Sequence, residues 1–248
     1  MKKLITALGV IGLCALPLTG QSAAYKEAPV DNGGTITGKV SFAGKDEPPK
    51  VYKISKDNEV CGTGNREIDY VRVNNGALMD VVVYLVKVKS GKPFPSDVAD
   101  ATIDQKGCEF KPFLQVMKNK AKVAAVNQDP VLHNIHTYAL MRGDAKGPKK
   151  TIFNVSQPEP GTVTKTVKMP GKAPALKVEC DAHDFMHGFV FVAKNPYFAK
   201  VAEDGTYTID NVPPGKYKIV AWHGMLKNQK GSVEVKAGDT ATVDFTFK

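Results

Sequence analysis

Short β-rich runs cut by Gly and Pro turns recur along most of the chain, and they constrain its fold more than any other feature. Thr35-Ile36-Thr37-Gly38-Lys39-Val40-Ser41-Phe42 alternates apolar and polar residues before a turn rich in Gly, Pro and charge. Val81-Val82-Val83-Tyr84-Leu85-Val86 is a β-branched and aromatic run of the kind a buried strand uses. Further runs lie at 122–126, 151–155, 162–167, 176–180 and 188–192. The C-terminal quarter is the most regular. Asp204-Gly205 turns into Thr206–Ile209, and Pro213-Pro214-Gly215 into Lys216–Trp222. A run at 231–235 then precedes a turn at Ala237-Gly238-Asp239 and a last strand over Thr240–Phe247. No sustained helical period, heptad or internal repeat accompanies them. The spacing predicts an all-β chain, a sandwich or a barrel.

Composition narrows the class further. With 42% hydrophobic and 24% charged residues over 248 positions, the chain is neither a disordered tail, a collagen-like fibre nor a multi-span membrane protein. Lys2 and Lys3, the apolar stretch Leu4–Leu18 and the small residues Ser22-Ala23-Ala24 form an export-signal pattern over residues 1–24. That stretch is short for a spanning helix, and Leu13 stands before Cys14 where a lipidated cysteine normally needs a small residue. Cleavage after Ala24 removes two Lys, leaving 248 − 24 = 224 residues and 32 − 25 = +7 in place of +9. The expected product is soluble, periplasmic or secreted, and not integral to the membrane. Lys-rich loops at 118–122, 146–150 and 227–230 are mostly solvated faces; their functional reading is steering toward an acidic partner. Export and the lack of a basic-aromatic stripe argue against nucleic acid.

Removal of the signal leaves Cys61, Cys108 and Cys180, an odd number in an oxidising compartment. Arithmetic alone allows any pair. Cys61 and Cys108 both sit in Gly-flanked loops that suit a disulfide, whereas Cys180 lies among metal-ligand residues.

Four of the five His occupy two short segments, Asn127–His136 and Cys180–His187. Cys180, His183 and Met186 follow one another at intervals of three, so a single tight loop can wrap an ion, with His133 arriving from a neighbouring strand. A thiolate and two imidazoles with a weak axial thioether are the donor set of blue copper. Taken singly, Met186 reads as core filler, a free Cys as a small buried hydrophobe and strand histidines as surface residues. Their joint occurrence in a chain with five His carries the metal reading. His187, directly after Met186, is a rival axial donor. His136 points to the other strand face from His133, which makes it a second-shell or second-site residue. Asn134 stands where it can hydrogen-bond the cysteine loop. His223, beside the core residue Trp222, is either a surface histidine or one facing the metal domain. Zinc is the rival metal, since Cys-His-His with an open position can hold it. No HExxH-type glutamate or general base accompanies the set, so no enzyme is expected, and Cys–His nucleophilic catalysis would leave His133 and Met186 idle.

Cys180-Asp181-Ala182-His183-Asp184-Phe185-Met186 resembles the short ligand loop of the cupredoxins, specifically the amicyanin and pseudoazurin branch, and His133-Asn134-Ile135-His136 resembles the stretch that holds that family's first ligand. Met169-Pro170-Gly171 is similar to its usual turn before the cysteine strand. The resemblance spans roughly Ala77 to Val192. It implies a Greek-key β-sandwich with His133, Cys180 and His183 as equatorial ligands of one copper ion and Met186 as the axial one. Ala182 departs from the family's usual Pro, and Cys61, Cys108 and the stretch between them exceed a minimal cupredoxin. The last fifty residues resemble the transthyretin-like, carboxypeptidase-regulatory-like β-sandwich at Asp204-Gly205-Thr206-Tyr207, Val212–Tyr217 and Val235–Gly238. That family's first strand is similar to Gly34–Val40, which implies a discontinuous domain with the middle of the chain inserted. The expected division is 30–60 for first strands of the regulatory-like domain, 61–195 for the copper domain and 196–248 for the remainder. The resemblance implies one-electron transfer through a mononuclear Cu(I)/Cu(II) site, with an acidic redox partner such as a c-type cytochrome or an electron-donating enzyme. The alternatives are a periplasmic copper handling or delivery protein, and a structural envelope module with a vestigial or zinc-binding site.

Overall fold

The structure, a computed structural model, describes residues 25–248. The expected export signal at residues 1–24 lies outside the described residues. The fold is all-β. Among the described residues, helix is confined to the turn Asn58–Cys61 and the 3-10 turn Ser96–Val98.

Four sheets carry the architecture. Sheet I orders Thr206–Val212, Gly34–Phe42, Ala77–Leu78 and Val73–Asn74, with Thr240–Thr242 and Phe245–Phe247 also pairing to Gly34–Phe42. Sheet II orders Phe198–Lys200, Val81–Val86, Gly215–His223 and Gln229–Val235. Sheet III orders Leu114–Lys118, His187–Ala193, Ala175–Glu179, His133–Leu140 and Lys149–Gln157. Sheet IV orders Phe110–Lys111, Ala101–Gln105, Lys122–Asn127 and Gly161–Thr166.

Three buried clusters stack these sheets. Ile36, Val40, Leu78, Val83, Ile219 and Phe247 fill the space between I and II. Ile103, Val123, Ile135, Leu176, Val178 and Val190 fill that between III and IV. Val82, Leu140, Phe189, Phe191 and Trp222 join II to III. The central strands of the two inner sheets, Val81–Val86 and His187–Ala193, are thus covered on both faces, which explains their sequences: a strand buried on both sides needs apolar residues at successive positions. In His187–Ala193, Val190 and Val192 face one core while Phe189 and Phe191 face the other. Trp222 is fully buried at the centre of the II–III contact, and its indole N–H donates to the Gly143 carbonyl.

Gly34–Phe42 runs antiparallel to Thr206–Val212 and parallel to the last two strands, so both ends of the described chain build one sandwich. The second sandwich is inserted between Val86 and Phe198. Entry and exit meet where the Leu85 N–H donates to the Tyr197 carbonyl (2.9 Å) and the Asn195 side chain donates to the Leu85 carbonyl (2.9 Å). Two segments lie apart from the division drawn on sequence. Val73–Val86 falls within 61–195, yet it pairs in sheets I and II, where Val81–Val86 registers with Lys218–His223. Lys50–Lys53 falls within 30–60, yet with Asn65–Ile68 it forms a hairpin whose Tyr52, Ile54 and Cys61 enter the III–IV core. An apolar run declares that a strand is buried without declaring which sheet buries it.

Candidate metal centre

His133–Leu140 and Ala175–Glu179 are neighbours in sheet III, with His136 opposite Glu179. Their register brings His133, which opens one strand, and Cys180, which follows the other, to the same end of the sandwich. The loop after Cys180 folds back on itself: the Met186 N–H donates to the His183 carbonyl (3.0 Å) and the Cys180 N–H to the Met186 carbonyl (3.3 Å). Asn134 ties it to the other strand. Its Oδ1 accepts the Asp181 N–H (2.6 Å) and the Ala182 N–H (3.2 Å), and its own N–H points at Cys180 Sγ (3.5 Å).

Three donors converge. His133 Nδ1 lies 3.1 Å from His183 Nδ1, Cys180 Sγ lies 3.7 Å from His183 Nδ1, and ligand atoms of all three residues lie within 4.8 Å of one another. All three residues are buried, and Met186 is buried in the same core. The far edges of both imidazoles are held by carboxylates. Asp129 Oδ2 is 2.9 Å from His133 Nε2, and Asp57 Oδ2 is 2.9 Å from His183 Nε2. A carboxylate beside Nε2 accepts an N–H from it, which places a ring proton on Nε2 of each histidine and leaves Nδ1 available as a lone pair. Two lone pairs and a sulfur then face one buried point. That is an electrostatically poor arrangement by itself and a favourable one around a cation, so these residues fit a soft metal ion.

The titration of these groups agrees. Burial pushes the Cys180 thiol up, against the N–H groups of Asn134, His183 and Ala182, so a cation that binds there displaces a proton. Burial pushes His183 down and so favours the neutral ring, while the Asp57 hydrogen bond opposes it. Burial would raise Asp129, but the Cys108 N–H, His133 and the Gly107 N–H together hold it below the usual carboxylate range.

Asp57 and Asp129 were not among the residues singled out by sequence. Asp129 carries a faint signal, standing four residues before His133. Asp57 carries none. It comes from the strap Lys50–Ile68, where it holds a left-handed backbone (φ 52°) just before the helical turn Asn58–Cys61. The strap is fastened by the Cys61–Cys108 disulfide, leaving Cys180 as the free thiol among the described residues. Arg66 donates to the carbonyls of Cys61 (2.8 Å), Cys108 (2.7 Å) and Gly107 (3.0 Å), and its guanidinium lies over the Phe185 ring at 5.0 Å.

The other histidines occupy different places. His136 braces the loop from outside: its Nδ1 is 3.1 Å from each Asp181 carboxylate oxygen and its Nε2 is 3.1 Å from Thr151 Oγ1. His187 is opposite Glu179 in register, with its ring between Tyr52 (5.5 Å) and Tyr70 (5.3 Å). Neither of its ring nitrogens has a hydrogen-bond partner among the described residues, and burial, then Lys177, pushes it down to about 4. His187 stands outside the three-donor group. His223 is buried rather than on the surface, with its ring 6.3 Å from Phe247 in the I–II sandwich and its Nδ1 accepting the Met225 N–H (3.2 Å).

Comparison with known proteins gives partial matches. Residues 187–243 match the family model described as polysaccharide lyase family 4, domain II. That match includes none of His133, Cys180 and His183. Rhamnogalacturonate lyase B of Emericella nidulans is 26% identical over 104 residues, 40% of this chain, and the chain spans only 16% of that relative's length. A purple cupredoxin from Nitrosopumilus maritimus superposes at TM-score 0.31 and 21% identity, covering 38% of this chain and 100% of its own. Amicyanin from Paracoccus versutus does so at TM-score 0.30 and 17% identity, covering 40% of this chain and 84% of its own.

Proposed function

We propose that His133, Cys180, His183 and Met186 hold one copper ion and that the protein passes single electrons between redox partners outside the cytoplasm, catalysing no reaction of its own. The observation that carries this reading is the convergence of two Nδ1 atoms and a thiol on one buried point, with both imidazoles fixed from behind by carboxylates. Copper, when bound, supplies a one-electron Cu(I)/Cu(II) couple.

The chain supplies everything else. Asn134 aims its N–H at the Cys180 sulfur and pins Asp181 and Ala182. His136 and Asn154 hold Asp181 in turn. The donors are therefore placed in advance and need little rearrangement between oxidation states. Burial keeps water from the sulfur. The formal charge of 32 − 25 = +7 on the chain without residues 1–24 favours an acidic redox partner, such as a c-type cytochrome or an electron-donating enzyme.

The test is a visible spectrum after addition of one equivalent of Cu(II). The expected result is an intense thiolate-to-copper band that bleaches on reduction and returns on oxidation. A colourless protein that retains copper would refute electron transfer. It would favour the second reading, copper holding and delivery, which the closure of both histidine edges by Asp129 and Asp57 supports. Retention of zinc in preference to copper would favour the zinc-binding envelope module.

A further inference from the structure

The Cys61–Cys108 disulfide stands against the metal centre as well as fastening the strap. We propose that it is a redox gate on a second, thiolate-rich metal site made by Cys61, Cys108 and His183, which takes a soft cation such as Cu(I) only when the disulfide is reduced. This rests on the metal reading above only through the shared His183.

Three observations carry it. Both sulfurs and a ring nitrogen of His183 lie within 4.8 Å of one another, and all three residues are buried. Cys108, Asp129 and His133 form another group within the same limit, so the sulfur pair borders both histidines of the first centre. The strap also has anchors besides the S–S bond. Tyr52 and Ile54 are buried in the III–IV core, Arg66 bonds the carbonyls of both cysteines, Asp57 bonds His183, and Asp129 accepts the N–H groups of Gly107 and Cys108 (2.8 Å each). With these anchors in place, cleaving the disulfide frees two thiols that stay beside His183 at this end of the sandwich.

The chemistry balances with a dithiol as reductant. The dithiol becomes a disulfide, the Cys61–Cys108 bond breaks, and each sulfur gains one electron and one proton. The thiols then give up their protons to solvent as their thiolates take the cation. Disulfide sulfurs are weak donors, whereas thiolates are the preferred ligands of Cu(I). The oxidised protein offers one thiolate at this end of the sandwich and the reduced protein three. A small-molecule disulfide reverses the step: it takes up two electrons and two protons to become two thiols, the Cys61–Cys108 bond re-forms, and the cation is released.

The experiment uses the purified protein, metal-free, oxidised or reduced with a dithiol that is then removed under argon. Cd(II) is the probe, because its near-ultraviolet thiolate charge-transfer band counts bound sulfurs. The expected band is about threefold stronger in the reduced wild type than in the oxidised one, following three thiolates against one. C61S/C108S should give the one-thiolate band under both conditions. Cys180→Ser should bind through sulfur only when reduced, with a band about two-thirds that of the reduced wild type. A reduced wild-type band no larger than that of C61S/C108S would overturn the proposal. So would a disulfide that resists dithiol in the folded protein, or a collapse of the near-ultraviolet circular dichroism on reduction. Failure of the oxidised wild type to bind metal would sink the electron-transfer reading alone.

Discussion

Acidification should unfold this protein through a histidine far from the metal centre. His223 is 1% exposed in the I–II sandwich, and burial, followed by the fields of Arg72 and Lys146, pushes it down to about 4 from 6.5. In the unfolded chain it regains its ordinary value. Between 6.5 and about 4 the unfolded state takes up a proton that the folded state refuses. The contribution of His223 is therefore complete above 6.5 and is lost as the pH falls toward about 4. That gap corresponds to about 3 kcal/mol at 1.36 kcal/mol per tenfold, a large part of the 5–15 kcal/mol that holds a typical domain folded. The assay is urea unfolding of the wild type and His223→Gln from pH 7.5 to pH 4. The variant lowers stability at every pH by whatever its packing costs, so the slope is the readout. The wild type should lose about 3 kcal/mol more than the variant across the window. Groups common to both proteins, such as the buried His187 and the low-titrating Asp129, cancel in the difference. Parallel stability curves for the two proteins would refute the reasoning.

Cys180→Ser should abolish the copper chromophore in visible absorption. C61S/C108S should keep it and lose about 4 kcal/mol in denaturant unfolding, from the 47-residue separation that the disulfide closes. Asn134→Ala strands the amides of Asp181 and Ala182 and should cost about 1–3 kcal/mol, with a shifted chromophore and faster copper loss to a chelator. Asp57→Ala removes the acceptor behind His183 and should weaken copper binding by roughly 10–100-fold in a competition titration, while C61S/C108S keeps the wild-type affinity in the oxidised state.

What was legible in the sequence was what is local. Cys180, His183 and Met186 sit in one loop, and Asn134 is next to His133, so spacing alone announced them. The Cys61–Cys108 pair followed from its Gly-flanked contexts and from the company Cys180 keeps. Strand periodicity gave the all-β class, and the similarity of Gly34–Val40 to a strand belonging with the C-terminus pointed to the pairing that Gly34–Phe42 makes. Asp57 was invisible because its approach to His183 depends on a strap folding over from 126 residues away. Val81–Val86 was misplaced because complete burial erases the alternation that distinguishes one sheet partner from another. His223 looked like a surface residue because nothing local marks a polar side chain that tertiary packing will enclose.

Phe198–Lys200 pairs antiparallel with Val82–Tyr84. For the outer sandwich, sheets III and IV are thus together the loop of a β-hairpin. A disordered loop on the order of a hundred residues would cost roughly 4 kcal/mol to close by chain-length scaling. A folded one has its ends already side by side and behaves as a tight turn. Assembly then has a direction. The insert has all of its strands before the chain reaches Phe198, whereas Gly34–Phe42 waits for partners about two hundred positions later, such as Asp244, 205 residues beyond Lys39. The sandwich that houses the metal donors is in this sense the folding template of its host, and damage to the insert should appear first as unpaired strands in a region that touches no metal.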